Sequence, residues 1–224
     1  MSEQLLQVVL NRLRSIQGAT AGSSLNPPWI SGQDAPRSET QPSDIESSPR
    51  HGALSRAAVL VIGAIGEGKT SAVTCLANNL LQREIDVDGV LASRILDAKT
   101  GRTVGYDLNV IRSGKCIPLA REYPPGQRVG KFYLSDEALR EAESILTHAA
   151  QVRSVVILDE VGRLELTGGG HAAAVTAIQA GCALPVLTVR RSLADAVRSR
   201  FGLDSADCYD VARGLLLDPH QGAM

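Results

Sequence analysis

Aromatic residues are scarce in this chain: one tryptophan, four tyrosines and two phenylalanines among 224 residues. So thin a supply argues against a stacking platform for single-stranded nucleic acid. Neither sign of charge is in excess, because 23 Lys and Arg offset 24 Asp and Glu to a net charge of −1. No overall field therefore draws the protein to a polyanion or an acidic membrane, and neither is expected as a partner. The four cysteines, Cys75, Cys116, Cys182 and Cys208, stand far apart without a CxxC pair. Zinc and disulfide frameworks are disfavoured, and buried reduced thiols in a cytosolic protein are the simpler reading. There is no apolar run of membrane-spanning length, no signal-peptide pattern and no internal repeat. The cytoplasm is the expected address.

What is present divides the chain into four parts. In residues 1–17, Leu5, Val9, Leu13 and Ile16 recur at three- and four-residue intervals, the pattern of an amphipathic helix. It either packs back on the chain or docks a partner; Glu3, Asp34 and Glu39 speak against a mitochondrial presequence. Residues 18–56 are rich in Ser, Pro, Gly, Gln and Asp, and read as a linker that buries too little apolar surface to order itself. Within it, Pro27-Pro28-Trp29-Ile30 holds the single tryptophan and could clip onto the domain or a partner. Residues 57–217 form the expected globular domain and 218–224 a tail. With 44% hydrophobic residues, the chain can build a sizeable core.

The stretch Val59-Leu60-Val61-Ile62-Gly63-Ala64-Ile65-Gly66-Glu67-Gly68-Lys69-Thr70-Ser71 organises that domain. Four apolar residues, three of them β-branched, predict a strand buried on both faces. Gly63, four residues and then Gly68-Lys69-Thr70 is the Walker A spacing, and Val73, Leu76 and Leu80 line the helix that follows. A triphosphate needs many convergent donors at short range. Glycines bring backbone N–H groups close to it, and a fresh helix N-terminus adds its unpaired donors and positive dipole end. Gly63, Ala64, Ile65, Gly66, Glu67, Gly68, Lys69, Thr70 and Ser71 are thus the expected nucleotide-binding residues. Lys69 would place its charge on the β- and γ-phosphates, and the Thr70 hydroxyl would ligate Mg²⁺.

Further apolar strands alternate with helical segments. Asp88–Asp97 and Arg102–Val110 around Ala98-Lys99-Thr100-Gly101 predict a β-hairpin, read as an insertion beside the nucleotide site. A helix from Ser135, another from about Gly170 to Ala180, and a third after a Ser192–Asp195 capping box are expected. Cys208–Val211 is the expected last strand. The alternation implies an α/β fold with a mostly parallel sheet covered on both faces. Val155-Val156-Ile157-Leu158-Asp159-Glu160 has the form of a Walker B strand. Asp159 would hold Mg²⁺, and Glu160 would orient the attacking water. Arg190 and Arg191, directly after a predicted strand, rank first as the cation assisting the γ-phosphate. Arg128 ranks next; Arg94, Arg102 and Arg163 remain candidates. His171 reads as a loop residue near a helix start.

These segments resemble the small nucleoside-triphosphatases first described in thermophiles, called cancer-related nucleoside-triphosphatases in animals. The likeness runs from about Ala57 to Val211. Asp159-Glu160-Val161-Gly162-Arg163-Leu164-Glu165-Leu166 is similar to the family's Asp-Glu-Ile-Gly-x-Met-Glu-Leu. Gly101–Tyr106 and Arg128–Phe132 are similar to its Gly-x-Arg-x-Gly-Phe and Arg-x-Gly-x-Tyr segments. Thr188-Val189-Arg190-Arg191 is similar to its Thr-Val-His-Arg stretch. Ala92 and Arg94 depart from the Thr and Glu usual there, and the extension Met1–Arg56 is a further departure. The resemblance implies a P-loop NTPase three-layer sandwich of the ASCE/RecA-like kind. It also implies slow, Mg²⁺-dependent hydrolysis of ATP, GTP and other triphosphates, with Lys69 and Thr70 in the phosphate and Mg²⁺ roles and Glu160 as the activating carboxylate. A small-molecule kinase on the same scaffold and a nucleotide-gated adaptor docking through residues 1–56 are the rival expectations.

Overall fold

Strand β1 (Val59–Gly63) is buried at every position, as a strand covered on both faces must be. The computed structural model describes residues 2–21 and 57–217. The linker reading for 22–56, Trp29 included, and the tail 218–224 lie outside the described residues. Beside β1 run β8 (Leu184–Arg190) on one side and β9 (Asp207–Asp210) on the other, both parallel to it. Next to β8 comes β7 (Val155–Val161), then β2 (Val87–Leu96), again parallel. The parallel centre therefore has the order β9-β1-β8-β7-β2. One strand, β8, separates the strand before the glycine loop from the strand that ends in Asp159-Glu160.

Alternate residues of these strands feed two cores, as a period of two requires. Val59, Val61, Val155, Ile157 and Val186 pack with Val73, Leu76 and Leu80 of α2 (Lys69–Gln82). Leu60, Ile62, Val156, Leu158 and Leu187 pack beneath α3 (Asp136–Val152), α5 (Ala172–Ala180) and α6 (Ala194–Phe201). The result is three layers, helix–sheet–helix. The Ser135 hydroxyl caps α3 by accepting the Ala138 N–H at 3.1 Å, with Asp136 and Glu137 in the first turn against the helix dipole.

The predicted hairpin forms, as an antiparallel continuation of the central sheet. The start of β2 pairs with β7, and the strand runs on to pair with β3 (Thr103–Val110), so the central sheet itself continues outward. Strands β4 (Cys116–Arg121), β6 (Phe132–Leu134) and β5 (Gln127–Val129) extend it as an antiparallel wing, and β10 (Leu215–Leu217) closes the opposite edge. A short helix α4 (Arg163–Leu166) follows β7. The Ser192–Asp195 capping box does not form: a 3-10 turn over Arg191–Leu193 intervenes, and α6 begins at Ala194 without a side-chain cap. Cys208 is buried and Cys75 half-buried, but Cys116 and Cys182 are exposed, all four as free thiols.

The N-terminal helix α1 (Ser2–Ala21) runs past Gln17 and lies against α2. Leu5, Leu6, Val8 and Val9 are buried in the same core as Val73, Leu76 and Leu80, with Leu13 and Ile16 partly buried beside them. The Arg12 guanidinium forks onto both carboxylate oxygens of Asp207, at the start of β9. The apolar face that a docking helix would offer is occupied by the chain's own domain. Among the described residues no helix is long and apolar enough to cross a membrane.

Candidate active site

The loop after β1 turns through Gly66 (φ 83°) and Gly68 (φ 88°), a region where a Cβ would be strained. Gly68 is the N-cap of α2, so the helix opens at Lys69 with its first N–H groups facing the loop. Lys69 Nζ donates to the carbonyls of Gly63 at 3.2 Å and Ala64 at 2.8 Å. Burial pushes its pKa down, against Glu160 and Asp159, which pull it up. The loop is closed by Glu67, whose Oε2 accepts the Ala64 N–H at 2.7 Å. Arg191 Nη2 donates to the same oxygen at 2.9 Å and to Asp210 Oδ1 at 2.8 Å, while its Nε donates to Asp210 Oδ2 at 3.0 Å. Arg191 thus braces the glycine loop to the end of β9.

At the end of β7 the register against β8 slips between Leu158 and Val161, and Glu160 takes φ 66°. A bulge of this kind re-aims side chains that would otherwise point to opposite faces. Asp159 stays buried, with one oxygen accepting from the Thr188 hydroxyl and the other from the Ala92 N–H at 3.2 Å. Its pKa is raised by burial and held back by hydrogen bonds from Thr188 and Thr70. Glu160 opens to solvent in the cleft, its pKa raised by desolvation and by Asp159, against Arg190, Lys69 and Arg94. Thr188 holds the bulge: the same oxygen that donates to Asp159 accepts the Glu160 N–H at 2.8 Å. That brace escapes a reading by motif, because it joins residues 28 positions apart.

One cleft of about 980 Å³ gathers Ile65, Gly66, Gly68, Lys69, Thr70 and Ser71 from the loop and helix with Asp159, Glu160, Thr188 and Arg190. Gly63 lies beneath the loop, in register with Arg190 on the adjacent strand. Of the paired arginines expected to assist, Arg190 lines the cleft, whereas Arg191 turns away to Glu67 and Asp210. Arg128 sits on β5, where Nε donates to the Gly130 carbonyl at 3.2 Å, and Arg102 is paired with Glu122. Neither lines the cleft; Arg94 and Arg163 do. His171 stands in the turn just before α5, as its N-cap residue, and is buried. Glu165 is also buried, accepting the N–H groups of Gly162 at 2.7 Å and His171 at 3.0 Å, and so ties the turn after β7 to the start of α5.

Three comparisons bear on the family and fold of the chain. The family described as NTPase matches residues 58–213. The nucleoside-triphosphatase THEP1 of Methanopyrus kandleri is 29% identical over 161 residues, covering 66% of this chain and 88% of that protein. Its namesake from Methanosarcina acetivorans is 26% identical, covering 66% and 87%. The solution structure of a human cancer-related nucleoside triphosphatase overlays with a TM-score of 0.52 at 20% identity, over 69% of this chain and 88% of that one. At that identity the overlay speaks for the fold alone. With the family match spanning well over half of its length, the chain belongs to the NTPase family, the small P-loop nucleoside-triphosphatases.

Proposed function

We propose that the protein hydrolyses nucleoside triphosphates to the diphosphate and inorganic phosphate, slowly, with Mg²⁺ and with little preference among bases. The observation that carries the reading is the convergence of Lys69, Thr70, Asp159 and Glu160 on one cleft beside a helix N-terminus. The backbone N–H groups of Gly66 to Ser71 bind the phosphates, and Lys69 exchanges its loop carbonyls for the β- and γ-oxygens. Glu160 accepts a hydrogen bond from water and orients it toward the γ-phosphorus. The Pγ–O bond to the diphosphate breaks as the water oxygen attaches, and the water's proton passes to Glu160. Arg190 offsets the charge that spreads over the γ-oxygens.

A divalent cation fits the residues present. Asp159 is a buried carboxylate with no basic side chain within hydrogen-bonding reach among the described residues, and the Thr70 hydroxyl stands beside it. An all-oxygen pair of this kind suits Mg²⁺, which takes one or two protein ligands and fills the rest with water and phosphate oxygens. When bound, the ion neutralises charge on the β- and γ-phosphates.

The test is phosphate release from ATP, GTP, CTP and UTP, in Mg²⁺ and in excess chelator. Release with all four in Mg²⁺, abolished by chelator and by Lys69→Ala, supports the proposal. Release that persists in Lys69→Ala overturns it. Of the segments an adaptor would dock through, the apolar face of α1 is buried in the chain's own core, and the Trp29 segment lies outside the described residues.

A further inference from the structure

The cleft does not end at the carboxylates. Beyond Glu160 it continues under the antiparallel wing, where Tyr106, Leu119, Phe132, Leu139 and Leu164 line it. Tyr106 and Phe132 meet edge to face with ring centroids 5.3 Å apart, and both are only half-buried. Half-exposed aromatic and aliphatic groups facing one concave space mark a ligand surface. Two further features give this lobe a chemistry. Arg94 and Arg163 line the cleft, and neither guanidinium has a hydrogen bond or ion pair among the described residues. His171, 7% exposed, also lines the cleft, and its Nδ1 has no hydrogen-bond partner among the described residues. A buried polar nitrogen left unpaired is costly unless something binds it.

Strand order decides which molecule the lobe can take. Lys69 starts the helix after β1, Glu160 ends β7, and the wing lies farther from β1 than β7 does. In an in-line displacement the attacking group stands opposite the leaving diphosphate. On the proposed roles of Lys69 and Glu160, on which this inference rests, the lobe lies on the side of the attacking group. The nucleoside of the bound triphosphate leaves on the other side.

We propose that the lobe is a second binding site, for an anionic heteroaromatic compound of the nucleoside monophosphate class, occupied together with the triphosphate. The ring rests on Phe132 and Tyr106 with its edge toward His171, and the anionic group pairs with Arg163 and Arg94. Four cationic side chains (Lys69, Arg94, Arg163 and Arg190) line the cleft beside three carboxylates (Asp159, Glu160 and Glu165), and charge-assisted hydrogen bonds from the arginines offset the charge of the second anion.

The experiment is calorimetry on the full chain saturated with Mg²⁺ and a non-hydrolysable β,γ-imido triphosphate. The titrants are AMP, GMP, CMP and UMP, with adenosine and inorganic phosphate as controls. The expected result is saturable binding of at least one monophosphate to the loaded protein, with each control about tenfold weaker or worse. Arg163→Gln and Phe132→Leu, one at an exposed charge and one conserving apolar bulk, should each weaken the monophosphate by about tenfold. Both should leave affinity for the imido triphosphate unchanged. Displacement of the imido triphosphate by the monophosphate would overturn the proposal by showing a single shared site, as would no heat from any of the four. Neither result would touch hydrolysis, whose own failure appears separately as phosphate release persisting in Lys69→Ala.

Discussion

The hydroxyl of Thr188, in the middle of the sheet, lies 2.8 Å from the backbone nitrogen of Glu160, the residue at the bulge. A non-glycine residue at φ 66° carries strain on the order of 1–3 kcal/mol and persists only where its surroundings impose it. Thr188 supplies that imposition, and by donating to Asp159 it orients both carboxylates at once.

Thr188→Val keeps the shape and removes both hydrogen bonds. It should destabilise the fold by about 1–3 kcal/mol through the stranded Glu160 N–H and Asp159 oxygen. It should also lower kcat with little change in KM, since it disturbs aim rather than nucleotide affinity. Thr188→Ser should recover most of both. Urea titrations beside steady-state kinetics measure the two effects; wild-type kcat in Thr188→Val would remove Thr188 from the account.

The Arg191 brace predicts a dependence on acid. Burial alone would raise the Asp210 pKa, but Arg191 and the N–H groups of Arg213 and Ala212 outweigh it and hold the carboxyl below the usual aspartate range. The unfolded chain therefore binds the proton more readily, so the stabilisation is complete above the ordinary aspartate value. It is lost as pH falls through the lower folded value. Asp210→Asn should be less stable than wild type at neutral pH and should flatten the acid limb of the stability curve. Circular dichroism melts between neutral and acid pH measure this, and equal acid limbs in the two proteins would refute it.

Docking of α1 predicts a cost for emptying its buried face. Leu5→Ala, at a fully buried position, should destabilise by about 2–5 kcal/mol. The denaturant slope should stay the same. A midpoint unmoved by the substitution would mean that α1 does not pack in solution.

Arg190 and Arg191 provide a contrast between neighbours. Arg190→Ala should slow turnover by as much as about 10³-fold, the lower end for an arginine acting on a γ-phosphate. Arg191→Ala should act mainly on stability and nucleotide affinity, because it releases Glu67 and leaves Asp210 buried without its partner. Rates and melting temperatures of the two variants, compared side by side, read this out. Equal loss of kcat in both would erase the distinction.

The legible parts of this protein are the ones whose chemistry is local. Val59–Ile62 and Val155–Leu158 announce buried strands by composition, and the segment from Gly63 to Ser71 shows its glycine turn and helix start because neighbouring residues build both. Ser135 caps α3 for the same local reason. What escapes is whatever depends on distant partners. Only the second strand of the hairpin, with Val104, Tyr106, Leu108 and Val110, alternates like a half-exposed strand, and it is the pairing of Val87–Val90 with β7 that makes the hairpin part of the central sheet. Adjacent arginines at 190 and 191 look equivalent in sequence, yet Glu67 and Asp210 claim one and leave the other to the cleft. His171 has no local sign that Glu165 will draw it into the interior.

The most direct measurement is single-turnover hydrolysis of Mg²⁺-loaded ATP by Glu160→Gln, with the affinity for its imido analogue measured alongside. The account predicts unchanged affinity and a rate lower by about 10²–10⁴-fold, the usual contribution of a positioned base. Hydrolysis at the wild-type rate in that variant would contradict it.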